Sequence, residues 1–319
     1  MDKIYIKNLS SFLDHRDSDA VYRFWRDVAL QMFPQEEFSL LDRSFPMVRK
    51  LFAGEFPGYL ACRTNYHDYQ HTIDVFIAAV RLADGCILSG LNLSAFFVES
   101  ILLAALFHDV GYIQEDQDPV GTGAKYTTTH VRRSVDFVSR QGSLFSIPPE
   151  RCEQIGRLIL GTDLAIPWDT LSVQNEEERL SMEILAAADL LGQMADRSYL
   201  EKLLFLYYEF KEAGVGGYES AFDILRKTAG FYGVIKKRLE TTLQRVSHRS
   251  IHHFLRRTGE NRDFYWESIV NQMQYLDSIL DDDSLNFRKR LRRIDLESAE
   301  LEEKARLASF GVHVAYDSP

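Results

Sequence analysis

Apolar residues repeat with the period of an amphipathic helix along most of the chain. Residues 18–33, 180–195 and 198–212 each carry their apolar positions on one face. Two further segments, 73–82 and 98–107, are apolar on nearly every side, which is typical of helices buried all round. No stretch shows the strict alternation of a half-buried strand. The pattern predicts an all-α fold, arranged as a helical bundle.

Composition divides the chain into three parts. Residues 1–45 form a lead segment that we expect to pack on the bundle as helices rather than to fold alone. Residues 46–280 supply one large helical domain, in which a glycine-rich break at 214–217 precedes a helix beginning near Glu219. The chain has 319 residues and is 45% hydrophobic, enough material for a single core without a second catalytic domain.

The third part, 281–319, is a charged tail. The acidic run 281–283 marks a hinge, and 284–309 is predicted as one helix with alternating acidic and basic blocks. Its apolar positions approximate a stripe: Leu285, Leu291, Ile294, Leu301 and Leu307. Such a stripe pairs with a second copy to form a homodimer, or lies back along the bundle, or belongs to a solvated helical end. The sequence leaves these three interpretations open.

Charge and cysteine usage narrow the class of protein. A formal net charge of −10 opposes non-specific attraction to nucleic acid, so no nucleic-acid partner is expected. Cys62, Cys86 and Cys152 are scattered, which indicates neither a disulfide framework nor a thiolate metal site. The N-terminus lacks a signal pattern, and no uninterrupted apolar stretch approaches the roughly 20 residues of a membrane span. We therefore expect a soluble, cytoplasmic protein without membrane association.

Two short motifs carry the residues of a metal site. His67 and His71 are four residues apart, so on a helix they lie on one face. His108 and Asp109 end the apolar run 102–107, where buried polar groups are costly unless they are paired or bind a metal. Imidazole and carboxylate ligands together suit zinc, iron, manganese or magnesium.

Asp189 is the candidate fourth ligand. It is the single carboxylate within the apolar, alanine-rich segment 184–191. A capping or surface position is the alternative, but apolar residues flank it on both sides and favour burial.

In this order, His71, His108, Asp109 and Asp189 resemble the signature of the HD-domain metal-dependent phosphohydrolases. Residues 66–75, Tyr-His-Asp-Tyr-Gln-His-Thr-Ile-Asp-Val, are similar to the Tyr-His-Asn-x-x-His-Ala-x-Asp-Val signature of class I cyclic-nucleotide phosphodiesterases. The resemblance extends from about residue 45 to 245, through Ile-Leu-Gly-Thr-Asp-Leu at 159–164 and Gly-Phe at 230–231, two matches that are weak alone. It implies an HD-domain, phosphodiesterase-like bundle with 46–280 as its catalytic domain.

The resemblance implies two divalent metal ions per chain. His71, His108, Asp109 and Asp189 would bind the first ion, and Asp109 would bridge to a second ion held mainly by waters. Two cations supply hydroxide near neutral pH and neutralise phosphoryl oxygens. His67 would then be the general acid, because a histidine changes its charge near working pH and can protonate the leaving alkoxide.

Several residues near these motifs have open roles. His130 either lines the site near the second metal or begins a helix after the capping hydroxyls of 127–129. Tyr112 stands where the cyclic-nucleotide enzymes carry a histidine, and Gly111 replaces an aspartate. The shell of the second metal is therefore expected to differ, with His130 or Glu115 compensating.

The expected substrate-binding residues depart further from the family. Thr228 stands three residues before the clamp residue Phe231, where the cyclic-nucleotide enzymes carry a purine-reading glutamine. Asp163 either contacts the residues that bind the metal or the substrate, or ends a helix ahead of Pro167.

The sequence thus predicts a metal-dependent hydrolase that cleaves a phosphodiester bond in a small-molecule phosphoester, with a cyclic or related nucleotide as the leading class. One alternative is a phosphomonoesterase or triphosphohydrolase acting on nucleotides. The other is a non-catalytic regulatory HD-domain protein that keeps the metal and uses the charged tail as a partner surface.

Overall fold

The regular structure of the chain is helical. The computed structural model describes residues 8–281 and 287–312, and within these ranges it contains α-helices, short 3-10 turns and one isolated bridge between Tyr59 and Glu115. The all-α prediction is therefore confirmed. The helices are α1 (Ser18–Met32), α2 (Ser39–Phe52), α3 (Tyr69–Leu88), α4 (Ala95–Phe107), α5 (His130–Gln141), α6 (Pro149–Leu160), α7 (Glu176–Met194), α8 (Tyr199–Glu212), α9 (Ala221–Glu240), α10 (Ser250–Thr258), α11 (Phe264–Leu280), α12 (Phe287–Arg290) and α13 (Leu296–Ser309).

Most predicted helices lie where the apolar periodicity placed them. Helix α1 begins at Ser18, and α8 differs from the predicted 198–212 by one residue at its start. Helix α7 begins four residues before the predicted 180. Its first turn is acidic and polar, so apolar periodicity does not reveal it. The Asn175 side chain caps this turn by accepting from the backbone N–H of Glu178 at 2.9 Å.

The centre of the bundle is formed by α3, α4 and α7, which pack on one another. Nearly all residues of α3 and α4 are buried, as expected for segments that are apolar all round. The stretch Ala95–Tyr112 is long and apolar enough to pass as a membrane span, although the sequence was expected to hold no such stretch. Because 89% of it is buried inside the fold, it has the surroundings of a core helix.

A buried charge cluster fixes α10 against α3. Asp84 is fully buried and accepts hydrogen bonds from His253 Nδ1 at 2.7 Å and Arg257 Nη2 at 2.6 Å. Burial alone would raise the pKa of Asp84, but His253 and Arg257 lower it, so the carboxylate stays ionised. The next residue, Gly85, allows the close approach, because a Cβ there would lie 1.9 Å from the carbonyl oxygen of Arg249.

The lead segment packs on the core through α1 and α2. Trp25 and Val28 on α1 are buried, and Phe45 on α2 contacts Phe76 on α3 with ring centroids 5.4 Å apart. The boundary expected between residues 45 and 46 falls inside α2, since that helix runs without interruption from Ser39 to Phe52.

The tail differs from the single helix predicted for 284–309. It contains α12 and, separately, α13, because the side chain of Asp295 caps a new helix by accepting from the N–H of Ser298. Leu291 and Leu307 are buried against the bundle, whereas Leu301 is 70% exposed. In the described residues the tail thus lies back on its own chain. The greater part of the expected 281–283 hinge, together with Leu285, lies outside the described residues.

Candidate metal centre

His71 lies in the first turn of α3. Asp68 is the N-cap of this helix, and its carboxylate accepts from the backbone N–H of His71 at 2.8 Å. His67 precedes the cap, so the expectation that His67 and His71 share one helical face is wrong. The two rings still lie near each other, with centroids 5.7 Å apart, because the extended backbone at Asp68 folds His67 back over the helix start.

His71, His108 and Asp109 form a compact, buried cluster. Asp109 Oδ2 lies 3.2 Å from His71 Nε2 and 3.3 Å from His108 Nε2, and the two Nε2 atoms are 3.3 Å apart. Ligand atoms around one ion at about 2.1 Å lie about 3.0–3.4 Å from one another in octahedral or tetrahedral geometry. The three atoms therefore have the mutual spacing of ligands to one cation.

Asp189, the fourth candidate ligand, has a carboxylate oxygen near the same cluster. Its Oδ1 lies 3.5 Å from His71 Nε2 and 3.8 Å from His108 Nε2. The residue lies on α7, and its side chain is 15% exposed toward the cavity described below. The structure thus brings together all four residues that the resemblance proposes for the first ion.

The hydrogen bonds around the cluster show which of its atoms are available to a cation. His108 Nδ1 donates to the carbonyl of Ala105 at 2.8 Å, so Nε2 is the ring nitrogen that faces Asp109. Asp109 Oδ2 is buried, makes no hydrogen bond of good geometry within the described residues, and faces His71 Nε2 at 3.2 Å and His108 Nε2 at 3.3 Å. A buried carboxylate oxygen that is so weakly hydrogen-bonded is costly. A divalent cation among these atoms would satisfy it, and the donor set fits such an ion.

The pKa values of His71 and Asp109 also indicate that the cluster favours a positive charge. Burial opposes protonation of His71, yet Asp109 and Asp189 outweigh it and raise the pKa of His71 to about 10. Burial would raise the pKa of Asp109, but the imidazoles of His108 and His71 hold it well below its usual range. Without a metal, the cluster therefore holds a proton at His71, which a metal ion would displace.

His130 faces the other oxygen of Asp109. Its Nε2 lies 3.6 Å from Asp109 Oδ1, and its Nδ1 donates to the carbonyl of Thr127 at 2.7 Å. Burial lowers the pKa of His130, so the ring is neutral and its Nε2 has a free lone pair. His130 is also the first residue of α5, but Thr129 makes no side-chain capping bond there and Thr127 donates to a carbonyl instead. The capping role expected of these hydroxyls is therefore not observed.

Gly111 makes the approach of His130 possible. A Cβ at Gly111 would lie 2.0 Å from the carbonyl oxygen of His130, so only glycine allows the start of α5 to pack here. Ser134 on α5 secures the contact by accepting from the N–H of Gly111 and donating to the carbonyl of His108. The aspartate expected at this position from the resemblance would not fit beside α5.

Tyr112 stacks against two imidazoles. Its ring lies 4.3 Å from that of His67 at an interplanar angle of 10°, and 4.5 Å from that of His130 at 22°. Burial, with the nearby charge of Asp109, raises the pKa of Tyr112 well above its usual range, so the phenol is neutral. A neutral phenol is a poor metal ligand, and here the ring fixes the planes of both histidines.

Glu209 is a site residue that sequence reasoning missed. Its Oε2 lies 2.6 Å from His67 Nδ1, and its Oε1 accepts from the backbone N–H of Tyr66 at 2.7 Å. The carboxylate is 4% exposed and comes from α8. An orienting carboxylate for His67 was expected, but which residue supplies it depends on packing between helices distant in sequence. The available signal was a lone acidic residue beside the buried Tyr207 and Tyr208.

These side chains open onto one cavity of about 420 Å³. It is lined by His67, His71, Asp109, Tyr112, His130 and Asp189, and also by Asp163, Thr228 and Phe231. All expected substrate-side residues thus reach the same cavity. Asp163 follows the end of α6, and its carboxylate accepts from the N–H of Ala165 at 2.8 Å.

Glu115 is an expected site residue that lies away from the cavity and from the metal cluster. Its carboxylate accepts from Arg140 Nη2 at 2.8 Å, and its backbone pairs with Tyr59. It lines a separate small cavity with Val110 and Arg133. The acidic loop after Tyr112 turns away from the metal cluster, so Glu115 does not take the position that was expected of it.

The comparisons with known proteins are sparse. Residues 116–250 are similar to a family model described as Npun_R2479-like. This match spans less than half of the chain and includes His130, Asp189 and Glu209, but neither of the motifs that carry His71 and Asp109. No curated protein and no solved structure gives a significant match to the chain. The comparisons therefore assign no activity.

Proposed function

We propose that the chain is an HD-type, metal-dependent hydrolase that cleaves a phosphodiester bond of a small molecule, with cyclic nucleotides as the substrate class that the resemblance implies. The observation that carries the proposal is the buried cluster in which Asp109 Oδ2 lies 3.2 Å from His71 Nε2 and 3.3 Å from His108 Nε2, the mutual spacing of ligands to one cation. Catalytic sites commonly lie in cavities that contain charged residues with shifted pKa values.

Two sets of residues would hold metal ions. His71, His108, Asp189 and Oδ2 of Asp109 suit a first divalent ion, and Oδ1 of Asp109 with His130 suits part of the shell of a second. When bound, divalent cations neutralise phosphoryl oxygens and activate water near neutral pH. Nitrogen and oxygen ligands of this kind accept zinc, manganese, iron or magnesium.

His67 supplies the proton that the leaving group needs. Its Nδ1 is held by Glu209, so Nε2 is the nitrogen available on the cavity side. A protonated ring donates at Nε2 to the departing alkoxide, while the charge of Glu209 stabilises the imidazolium before transfer. Tyr112 keeps the ring plane fixed through its stacking contact. The alkoxide released from a diester is a poor leaving group and needs a proton. A positioned acid therefore supports diester hydrolysis rather than a site that only binds metal.

Hydrolysis of bis-p-nitrophenyl phosphate tests the proposal. We expect turnover that requires added manganese or zinc and is lost in Asp109→Ala. The products from cyclic AMP or other esters then separate the alternatives. A linear monoester supports a phosphodiesterase, whereas release of inorganic phosphate or triphosphate from nucleotides indicates a phosphomonoesterase or triphosphohydrolase. Bound metal without turnover of any ester would favour the regulatory interpretation.

A further inference from the structure

One side of the cavity is an apolar wall built by three helices. It consists of Leu190 on α7, Leu203, Leu206 and Phe210 on α8, and Ile224 and Phe231 on α9. The metal ligands come from other positions, namely the start of α3, the end of α4 and Asp189 on α7. The cavity therefore joins a charged end to an apolar wall. Its volume lies in the range of about 300–1,000 Å³ found for small-molecule sites.

Two buried threonine hydroxyls that line this cavity are used in local hydrogen bonds. Thr228 Oγ1 donates to the carbonyl of Ile224 at 2.8 Å, and Thr162 Oγ1 donates to the carbonyl of Ile159 at 2.8 Å. Each hydroxyl has a single hydrogen, which is donated to a backbone carbonyl three or four residues earlier. Thr228 also stands where a purine-reading amide would be needed, and it has no second donor to replace that amide.

Three other polar side chains of the cavity are hydrogen-bonded, paired or exposed. The Gln193 carbonyl oxygen accepts from the Tyr66 hydroxyl at 2.8 Å, and its amide nitrogen lies 3.5 Å from the carbonyl of Asp189. Lys227 is exposed and pairs with Asp223 at 3.3 Å. Arg132 is exposed at the opening. None of these side chains belongs to the apolar wall.

The entrance continues the apolar character. Phe231 and Leu164 line the cavity and are 43% and 45% exposed, and Val234 follows one turn later on α9 at 65% exposure. Arg238 holds α9 to the loop after α6 by donating to the carbonyl of Gly161 at 3.2 Å. Phe231, Leu164 and Val234 therefore expose apolar atoms beside the cavity.

We propose that the ester group occupying this wall is apolar, an alkyl or aryl chain, rather than a nucleobase recognised by hydrogen bonds. This inference rests on the proposed hydrolase function and names its substrate class. In the reaction, the oxygen of water forms a bond to phosphorus and the bond from phosphorus to the leaving oxygen breaks. His67 gives its proton to that oxygen, water loses a proton to solvent, and the products are a phosphomonoester and an alcohol.

A series of alkyl p-nitrophenyl phosphates with methyl, butyl and hexyl groups tests the inference, because the leaving group stays constant. Each methylene that the cavity buries raises kcat/KM about fourfold. We expect the hexyl ester to exceed the methyl ester at least tenfold, and cyclic AMP, GMP and UMP to be turned over with little discrimination among the bases.

Two variants show whether the preference belongs to the apolar wall. Leu206→Trp fills the wall from α8 and is expected to lower the hexyl-to-methyl ratio several-fold. Leu255→Trp makes the same change on α10, where the side chain is 48% exposed and does not line the cavity, and it should leave the ratio unaltered. Since the readout is a ratio within one protein sample, partial unfolding does not imitate the effect.

Failure of the inference and failure of the proposed function give different results. Metal-dependent turnover without a gain from methyl to hexyl, or with tenfold discrimination among the bases, would overturn the apolar assignment and leave the hydrolase standing. If no ester is turned over, calorimetric binding of hexyl and methyl phosphate decides. Tighter binding of hexyl phosphate would support the apolar wall without the enzyme, and equal binding would refute both.

Discussion

Replacing Glu209 with glutamine should weaken acid catalysis without removing the metal. The wild-type carboxylate accepts at both oxygens, from Tyr66 N–H at 2.7 Å and from His67 Nδ1 at 2.6 Å. In Glu209→Gln, the amide oxygen keeps the bond to Tyr66, so the NH2 group turns toward His67. The NH2 group is a donor, so it cannot accept the hydrogen on His67 Nδ1. The doubly protonated His67 ring therefore loses the acceptor of its Nδ1 hydrogen bond.

The size of the effect follows from the burial of the pair. Glu209 is 4% exposed and the His67 side chain 15% exposed, so the interaction is only weakly screened. A hydrogen bond to a charged group contributes about 1.5–3 kcal/mol, which corresponds to a loss of about 10- to 150-fold in rate. Removing the acid itself, in His67→Ala, should cost about 10²- to 10⁴-fold while metal content stays at the wild-type level.

The assay compares two leaving groups on the same methyl phosphodiester. p-Nitrophenolate departs without a proton, whereas phenolate is more basic and needs one. We expect Glu209→Gln and His67→Ala to lower kcat/KM for methyl phenyl phosphate much more than for methyl p-nitrophenyl phosphate. Equal losses on both esters, or loss of bound metal in either variant, would refute the assignment of His67 and Glu209 as an acid and its positioning residue.

Three further predictions concern the metal cluster and the packing of α10 on α3. Asp109→Ala or His71→Ala should remove both bound metal and activity, as seen by elemental mass spectrometry and diester hydrolysis; retained metal would contradict the ligand assignment. His71 in the metal-free protein has a pKa raised from 6.5 to about 10, so its stabilising proton is fully held below pH 6.5 and lost as the pH rises to about 10. Calorimetric Mn²⁺ affinity should therefore increase up to about tenfold per pH unit within that window, and a flat profile would count against proton displacement. Gly85→Ala places a Cβ against the Arg249 carbonyl and should lower the free energy of unfolding by about 1–3 kcal/mol, whereas Gly233→Ala, with nothing within 4 Å, should raise it by about 0.5–1 kcal/mol; similar denaturation midpoints for the two would contradict the packing of α10 on α3.

Local pattern was sufficient for the helices and for the cluster of candidate ligands. The apolar run that becomes α4 ends directly in His108 and Asp109, so their burial followed from the pattern itself. Asp189 is similar, because a single carboxylate within a buried helix has few uses other than binding a charge. In these cases the chemical demand and the apolar periodicity concern the same short segment.

The start of α3 shows where local pattern is insufficient. The spacing of His67 and His71 suits one helical face, but Asp68 between them is a strong N-cap residue and delays the helix by one position. Glu209 illustrates a second limit. It pairs with His67 across 142 residues of sequence, and this partner is set by the packing of α8 against the segment before α3.

Close backbone approaches form a third class that sequence spacing does not reveal. Gly111 permits the His130 carbonyl to approach, and through it the placement of the His130 ring beside Asp109. The turn of Glu115 toward Arg140 likewise depends on a contact with another element, α5.

The most direct test of the central claim is the metal content of the purified protein after loading with manganese or zinc, measured by elemental mass spectrometry beside metal-dependent diester hydrolysis. We predict about two ions per wild-type chain, loss of bound metal in Asp109→Ala, and activity that rises with metal occupancy. A chain that binds no divalent ion under any loading condition, or activity unaffected by chelation, would contradict the assignment of His71, His108, Asp109 and Asp189 as a metal centre.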